Sequence, residues 1–103
     1  MLIIKKMSRP KKDRSIHCKP DVAYFKPRGI PLIKLEEVAL TMDELEAVRL
    51  ADYERLYHED AAKTMKISRQ TFGRILKDAR RKVSECLIEG KALRINTKME
   101  EGQ

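Results

Sequence analysis

The sequence is poor in cysteine, aromatic residues and long apolar runs, and each shortage excludes a class of protein. Its only cysteines, Cys18 and Cys86, are too few for a disulfide framework. The apolar start Met1–Ile4 runs straight into lysines, the wrong order for a signal peptide, and it is too short for a membrane span. Tryptophan is absent, so the core must be lean. We expect 103 residues to form one cytoplasmic domain without membrane contact, starting at Met1 or Met7.

The patterns typical of enzymes and metal sites are also missing. No nucleophile–base pair, phosphate-binding glycine loop or carboxylate dyad can be recognised in the sequence. The candidate metal ligands are His17, Cys18, His58 and Cys86. None has ligand spacing, because His17 and Cys18 are adjacent and Cys86 falls on the apolar side of a helix. We therefore expect no catalytic residues, no metal and no cofactor.

Charge is abundant and strongly segregated along the chain. The net charge is +7, and residues 1–35 carry ten Lys or Arg against two Asp or Glu. Residues 36–65 reverse this balance with three against nine, and residues 66–98 restore it with ten against three. Two basic segments around an acidic one indicate a polyanionic partner. We expect the acidic segment to be a solvated surface or a contact for another protein, with four glutamates as its members: Glu36, Glu37, Glu44 and Glu46.

Local signals predict three helices. Thr41 and Glu44 have the spacing of a capping box, which starts a helix over Met42 to about Arg55. A short helix over about His58 to Met65 follows, with Tyr57 as a poor cap. Ser68 then caps a long helix to about Glu89, ended by Gly90, and residues 91–95 can form a short C-terminal strand. Before Thr41, strand propensity at residues 22–25 is broken by prolines, and residues 32–40 are ambiguous between a helical turn and a connecting segment.

The second and third predicted helices have helix-turn-helix spacing. A small residue at Ala62 allows two helices to cross closely, and Ile67, Phe72 and Ile75 can hold them together. The turn places Lys66 in a left-handed conformation, at a cost of about 1 kcal/mol. The third helix has an apolar stripe of Phe72, Ile75, Leu76, Ala79, Val83 and Cys86. Its opposite side is basic and consists of Gln70, Arg74, Lys77 and Arg81.

This basic side predicts how the third helix would meet duplex DNA. Only the first two turns of a helix in the major groove reach base edges, which assigns base or near-base contacts to Arg69, Gln70, Thr71 and Arg74. Phosphate contacts are then expected from Ser68, Lys77, Arg80 and Arg81. Gly73, inside this helix, either lets the backbone approach DNA closely or has no role.

Two further segments have alternatives that the sequence leaves open. The basic arm, with Arg9, Lys11 and Lys12, either follows a minor groove or is a solvated tail. The aromatic pair Tyr24 and Phe25 either stacks on unpaired bases or packs on the domain.

A resemblance to a known family is carried by six runs of the sequence, taken together: Arg9–Lys12, Tyr24–Pro27, Gly29–Pro31, Leu40–Ala47, Ser68–Leu76 and Gly90–Ile95. Together they resemble Uncharacterised Protein Family 0251, small bacterial and archaeal proteins predicted to bind DNA. The resemblance covers roughly residues 7–95 and implies a helix-turn-helix similar to region 4 of sigma factors. The chain departs from the family before the second helix, where Arg55–Tyr57 replaces a Gly-Leu-Ser-like run and removes a serine cap.

The sequence therefore predicts a mainly α, compact helix-turn-helix domain over residues 16–95. A flexible basic arm over residues 1–15, partly extended, precedes it, and a flexible tail over residues 96–103 follows. The expected function is sequence-specific duplex DNA binding by a transcriptional regulator. A symmetric homodimer is expected because one helix reads only a few base pairs.

Two rival functions remain at this stage. One is an RNA-binding or ribosome-associated protein, favoured by the arm and the aromatic pair. The other is a protein-interaction module that docks onto the transcription machinery, with RNA polymerase as the partner and the acidic segment as the contact.

Overall fold

A computed structural model describes residues 14–97 of the chain. It contains three α-helices and a three-stranded sheet, so the predicted mainly α fold is confirmed. The elements, in chain order, are β1 (Tyr24–Phe25), a 3-10 helix (Leu32–Lys34), β2 (Glu37–Thr41), α1 (Met42–Val48), a π-helical segment (Arg49–Tyr53), α2 (His58–Met65), α3 (Arg69–Glu89) and β3 (Ala92–Asn96). No helix within residues 14–97 is long and apolar enough to cross a bilayer.

The capping box at the start of α1 is formed as predicted. The Thr41 hydroxyl accepts the Glu44 amide at 3.3 Å, and a Glu44 carboxylate oxygen accepts the Thr41 amide at 2.9 Å. Thr41 is also the last residue of β2, so the strand passes into the helix without a loop. The helix continues in π-helical form and ends at Tyr53 rather than at the predicted Arg55, which has a positive φ of 63°.

The local signals that predicted the turn and the helix ends of the helix-turn-helix are confirmed by the structure. Lys66 ends α2 in the left-handed conformation, with φ 59° and ψ 45°. The Ser68 hydroxyl caps α3 by accepting the Thr71 amide at 3.0 Å. Gly90 ends α3 with φ 68°, a conformation that favours glycine. Tyr57 makes no side-chain cap at α2, as expected.

The sheet has the order β1-β3-β2, so the last strand in the chain lies in the middle. β3 pairs parallel to β2, with Glu37 opposite Ala92, and antiparallel to β1, with Tyr24 opposite Arg94. The sequence did not predict β2, because its segment was left ambiguous between a helical turn and a connecting segment. Its five residues mix strand-favouring Val38 and Thr41 with Glu37 and Ala39, so local propensity does not decide the structure, and the pairing with β3 does.

The core has two parts joined by α3. One contains buried side chains from all three helices: Ala47, Leu50, Ala61, Ala62, Met65, Phe72, Ile75 and Leu76. The other, against the sheet, consists of Leu40, Ala79 and Ile95. The predicted apolar stripe of α3 is buried at five of its six positions, with Val83 only half-buried. Because the apolar stripe of α3 packs on the core, the opposite side of the helix faces outward.

The N-terminal segment of the described chain is fastened to the helices. The Ser15 amide donates to the Met65 carbonyl at 2.9 Å, and Arg14 forms an ion pair with Asp43. The amides of His17 and Cys18 donate to the Glu46 carboxylate at 2.9 and 3.1 Å. The first 13 residues, which contain most of the predicted arm, lie outside the described part.

Candidate nucleic-acid interface

The predicted basic side of α3 is exposed. Gln70, Arg74, Lys77 and Arg81 all face outward, opposite the stripe that packs on the core. Within residues 14–97, the side chains of Gln70, Arg74 and Lys77 form no hydrogen bond or ion pair. The cationic and amide groups on this side are therefore available to an external partner, and their spacing of three or four residues puts them in one row.

The beginning of α3 is held by its cap. The Ser68 hydroxyl also donates to the Thr71 hydroxyl at 2.9 Å, so both side chains are engaged in the first turn. Arg69 is exposed and borders an open groove of about 530 Å³. The groove's other lining residues come from the start of α2 and the loop before it: Leu56, Tyr57, His58 and Glu59.

The close crossing of α2 and α3 fixes the direction of the exposed row. Ala62 is buried where the two helices meet, and its carbonyl accepts the Ile67 amide at 3.0 Å across the turn. The His58 ring packs edge-on against Phe72, with ring centroids 5.4 Å apart. A larger side chain at Ala62 would push the helices apart and rotate the row.

Arg80 differs from the other predicted phosphate contacts. Its guanidinium makes two hydrogen bonds to the Asp52 carboxylate, at 2.7 and 3.2 Å. The hydrogen bond to Asp52 raises the pKa of Arg80 above its usual range. This pair ties α3 to the π-helical segment, so Arg80 can meet a phosphate only in competition with Asp52.

Ser15, the last residue of the predicted arm, lies next to the turn of the helix-turn-helix. Met65, whose carbonyl holds Ser15, is the last residue of α2 and lies three residues before the cap of α3. The predicted minor-groove residues Arg9, Lys11 and Lys12 lie outside the described residues.

The buried acidic anchor was not recognised in the sequence. Glu44 and Glu46 were expected on an acidic surface, and this was wrong, because both are buried and Glu46 is 0% exposed. Burial raises the pKa of Glu46, but hydrogen bonds from Arg49 and from the His17 and Cys18 amides outweigh it and lower the pKa below its usual value. Arg49 binds both carboxylate oxygens, at 2.9 and 3.0 Å. The available signal was the i, i+3 spacing of Glu46 and Arg49.

The environments of the two cysteine thiols disfavour the reactive thiolate form. Burial raises the pKa of both Cys18 and Cys86 above the usual value. The Cys86 thiol donates to the Ala92 carbonyl at 3.5 Å, which places it at the contact of α3 with β3. No group of three His, Cys, Asp or Glu side chains in the described part is arranged to hold a metal ion.

Lys91 is the centre of the main ion-pair cluster at the other end of α3. Its ammonium lies 2.6 Å from Glu85, 3.2 Å from Glu89 and 3.4 Å from Glu36. The hydrogen bond from Lys91 lowers the pKa of Glu85, and the same bond raises the pKa of Lys91. The cluster fastens the segment before β2 to the end of α3.

Comparison with known proteins identifies the family of the chain. The family described as "Protein of unknown function DUF134" matches residues 4–100. A UPF0251 protein from Vibrio vulnificus is 56% identical over 87 residues, covering 84% of this chain and 87% of the relative. One from Caldanaerobacter subterraneus is 54% identical over 89 residues, covering 86% and 75%. One from Desulfosudis oleivorans is 55% identical over 89 residues, covering 86% of this chain but 64% of the relative. No solved structure matches the chain. The chain belongs to the UPF0251 family.

Proposed function

We propose that this protein binds duplex DNA sequence-specifically, with α3 as its recognition helix. The observation that carries the proposal is the exposed row on α3, in which Gln70, Arg74 and Lys77 have no partner within residues 14–97. A helix surface with no role normally mixes charges of both signs, whereas this row contains none of the acidic residues. Its position at the second helix of a helix-turn-helix matches the way such motifs enter the major groove.

The proposal divides the row into reading and positioning groups. Arg74 and Gln70 can each make paired hydrogen bonds in the plane of a base, to guanine and adenine respectively. Lys77 and Arg81 lie one and two turns further along and are suited to phosphates. Arg69 and Thr71 remain near-base candidates, although the Thr71 hydroxyl is already bonded to Ser68.

A regulator of transcription is the cellular role that this proposal favours. A sequence-specific DNA-binding protein acts by occupying its sites on DNA, and for this role we expect the protein in the cytoplasm. RNA polymerase remains a second partner to test, through two exposed tyrosines: Tyr53, at the end of the π-helical segment, and Tyr57, just before α2.

One observation favours RNA as the alternative ligand. Phe25 is 54% exposed and is followed by exposed Lys26 and Arg28. Such a combination of an aromatic face and cations suits unpaired bases. Arg28 lies far from the exposed row on α3. Ile30, two residues after Arg28, packs beside Gly90 at the C-terminal end of α3, whereas the row starts at the N-terminal end of this helix, which is about 30 Å long.

The test is selection of bound sequences from a random duplex library near physiological salt, with wild type, Arg74→Ala and Arg28→Ala in parallel. We expect a defined motif from the wild type. Arg74→Ala should relax one position and weaken binding by about 1–3 kcal/mol, while Arg28→Ala, the matched loss of one exposed arginine, should retain the motif. Weak, sequence-independent binding that is equally salt-dependent in all three would refute the proposal. A preference for single-stranded RNA that is lost in Arg28→Ala would favour the alternative.

A further inference from the structure

The start of the described chain is fastened to two helices of the helix-turn-helix domain. The Ser15 amide donates to the carbonyl of Met65, the last residue of α2. Arg14 pairs with Asp43 of α1, and both side chains of this ion pair are largely buried. Two further backbone amides donate to the Glu46 carboxylate of α1. These contacts hold the residues that follow the basic arm beside the turn before α3.

The surface around this attachment point is basic. Residues 63–69 contain no acidic side chain, and their three cations are all exposed: Lys63, Lys66 and Arg69. Within residues 14–97, none of these three side chains forms a hydrogen bond or an ion pair. The attachment point therefore lies at a surface of unneutralised positive charge, which continues along the chain into the exposed row on α3.

The acidic side chains of α1, on which the segment is fastened, already have cationic partners. Asp43 pairs with Arg14, Glu44 with Lys82 and Glu46 with Arg49. The arm adds further positive charge to this region, since residues 1–13 contain five Lys or Arg against one Asp. Like charges repel, so this accumulation costs stability unless an external polyanion neutralises it.

We propose that the basic arm binds the same DNA duplex as α3, with Arg9 in the adjoining minor groove and Lys11 and Lys12 on the phosphates between the two grooves. The inference rests on the proposed function of α3. It extends the DNA contact to residues on the other side of the attachment point. Arginine suits the minor groove, because the negative potential of a narrow groove attracts its guanidinium.

The length of the arm matches the distance between the two grooves. An extended chain spans at most about 3.6 Å per residue, so Arg9 can lie up to about 20 Å from Ser15. On the same basis, Lys12 can lie up to about 11 Å from Ser15. One helical turn of DNA is about 34 Å, so the minor groove is centred about 17 Å from the major groove. Arg9 can therefore reach the minor groove, while the two lysines reach the strand in between.

The experiment measures binding of the full chain to a mixed-sequence duplex oligonucleotide over a series of salt concentrations, with two triple variants. The arm variant combines Arg9→Gln, Lys11→Gln and Lys12→Gln. The control variant combines Lys26→Gln, Arg28→Gln and Lys34→Gln, which removes the same charges from exposed positions between β1 and β2. Urea denaturation compares the stability of both variants with that of the wild type.

We expect the arm variant to lower the salt slope of binding by about two units, because each lost phosphate contact contributes about 0.9. The control variant should keep the wild-type slope. Equal slopes in the two variants would overturn the proposal. A less stable arm variant with an unchanged slope would also overturn it, because the arm would then bind the acidic surface of its own chain.

The site of Arg9 is tested by selection from the random duplex library, with wild type and Arg9→Gln in parallel. The wild-type motif should carry a preference for A·T pairs on one flank, since the minor groove mainly distinguishes A·T from G·C. Arg9→Gln should lose this preference and keep the part of the motif that α3 reads. A flank that is the same in both proteins would overturn the minor-groove contact.

The two measurements separate this inference from the proposed function. A defined motif together with a salt slope that is independent of the arm supports α3 as the recognition helix and refutes the arm contact. An arm-dependent slope without any preferred sequence supports the arm contact and refutes sequence-specific binding by α3. Absence of binding to any duplex refutes both proposals.

Discussion

Replacing Glu46 with alanine tests the anchor of the N-terminal segment most directly. The substitution removes a fully buried carboxylate and its four hydrogen bonds, two from Arg49 and two from backbone amides. It leaves the guanidinium and the amides of His17 and Cys18 without that acceptor. Breaking a buried ion pair by removing one partner costs about 3–5 kcal/mol. We expect this loss in the free energy of unfolding, and a melting temperature roughly 15–30 °C lower.

Glu54→Ala is the matched control, because Glu54 is a second acidic partner of the same guanidinium. Its carboxylate lies 3.3 Å from Arg49 and is partly exposed, so its loss should cost less than about 1 kcal/mol. Urea denaturation measures both values. Hydrogen exchange should show the amides of His17 and Cys18 protected in wild type and in Glu54→Ala, and unprotected in Glu46→Ala. If Glu46→Ala is no more destabilising than Glu54→Ala, the contacts of Glu46 with the N-terminal segment do not stabilise the fold.

The same carboxylate predicts a dependence on pH. Hydrogen bonds hold the pKa of Glu46 in the folded protein below its ordinary value of 4.5. A lowered folded pKa gives stability that is complete above the unfolded pKa and is lost as the pH falls through the folded one. The stability difference between wild type and Glu46→Gln should therefore be constant at neutral pH and shrink below about pH 4. A difference that grows with acidity would contradict this assignment.

Three other substitutions test single features of the structure. Lys66→Gly should stabilise the fold by about 0.5–1 kcal/mol in urea denaturation, because Lys66 is left-handed; a loss would show that its side chain matters more than its backbone. Gly73→Ala should stabilise α3 by about 0.5–1 kcal/mol, since a Cβ there meets nothing within 4 Å, whereas Gly90→Ala, at φ 68°, should destabilise it; equal signs would refute this. Asp52→Ala should release Arg80 and steepen the salt dependence of DNA binding by about one unit; an unchanged slope would exclude Arg80 from phosphate contact.

The helical half of the fold could be predicted because its signals are local. The capping box at Thr41, the serine cap at Ser68 and the left-handed turn at Lys66 each depend on residues within four positions. The apolar stripe of α3 has the helical period, so the opposite, exposed side could also be located. These local signals were sufficient to predict which side of α3 is exposed.

The sheet and the anchor could not be predicted in the same way. β2 pairs with residues more than fifty positions later, and nothing near Glu37 reveals that partner. Burial of Glu46 depends on the N-terminal segment with His17 and Cys18, which packs against α1. This too is a contact between segments that are distant in the sequence. A carboxylate in an acidic stretch of sequence is normally exposed. Glu46 is buried because backbone amides donate to it, and these donors cannot be identified from the sequence near Glu46.

The central place of β3 affects how the chain can fold during synthesis. β1 and β2 are made early, but both need β3 between them, and β3 ends at Asn96. A nascent chain that has emerged only as far as Gly90 can assemble the three helices, while its two earlier strands still have unpaired edges. During translation, therefore, the helix-turn-helix can form first, and the sheet closes in one late step when residues 92–96 leave the ribosome.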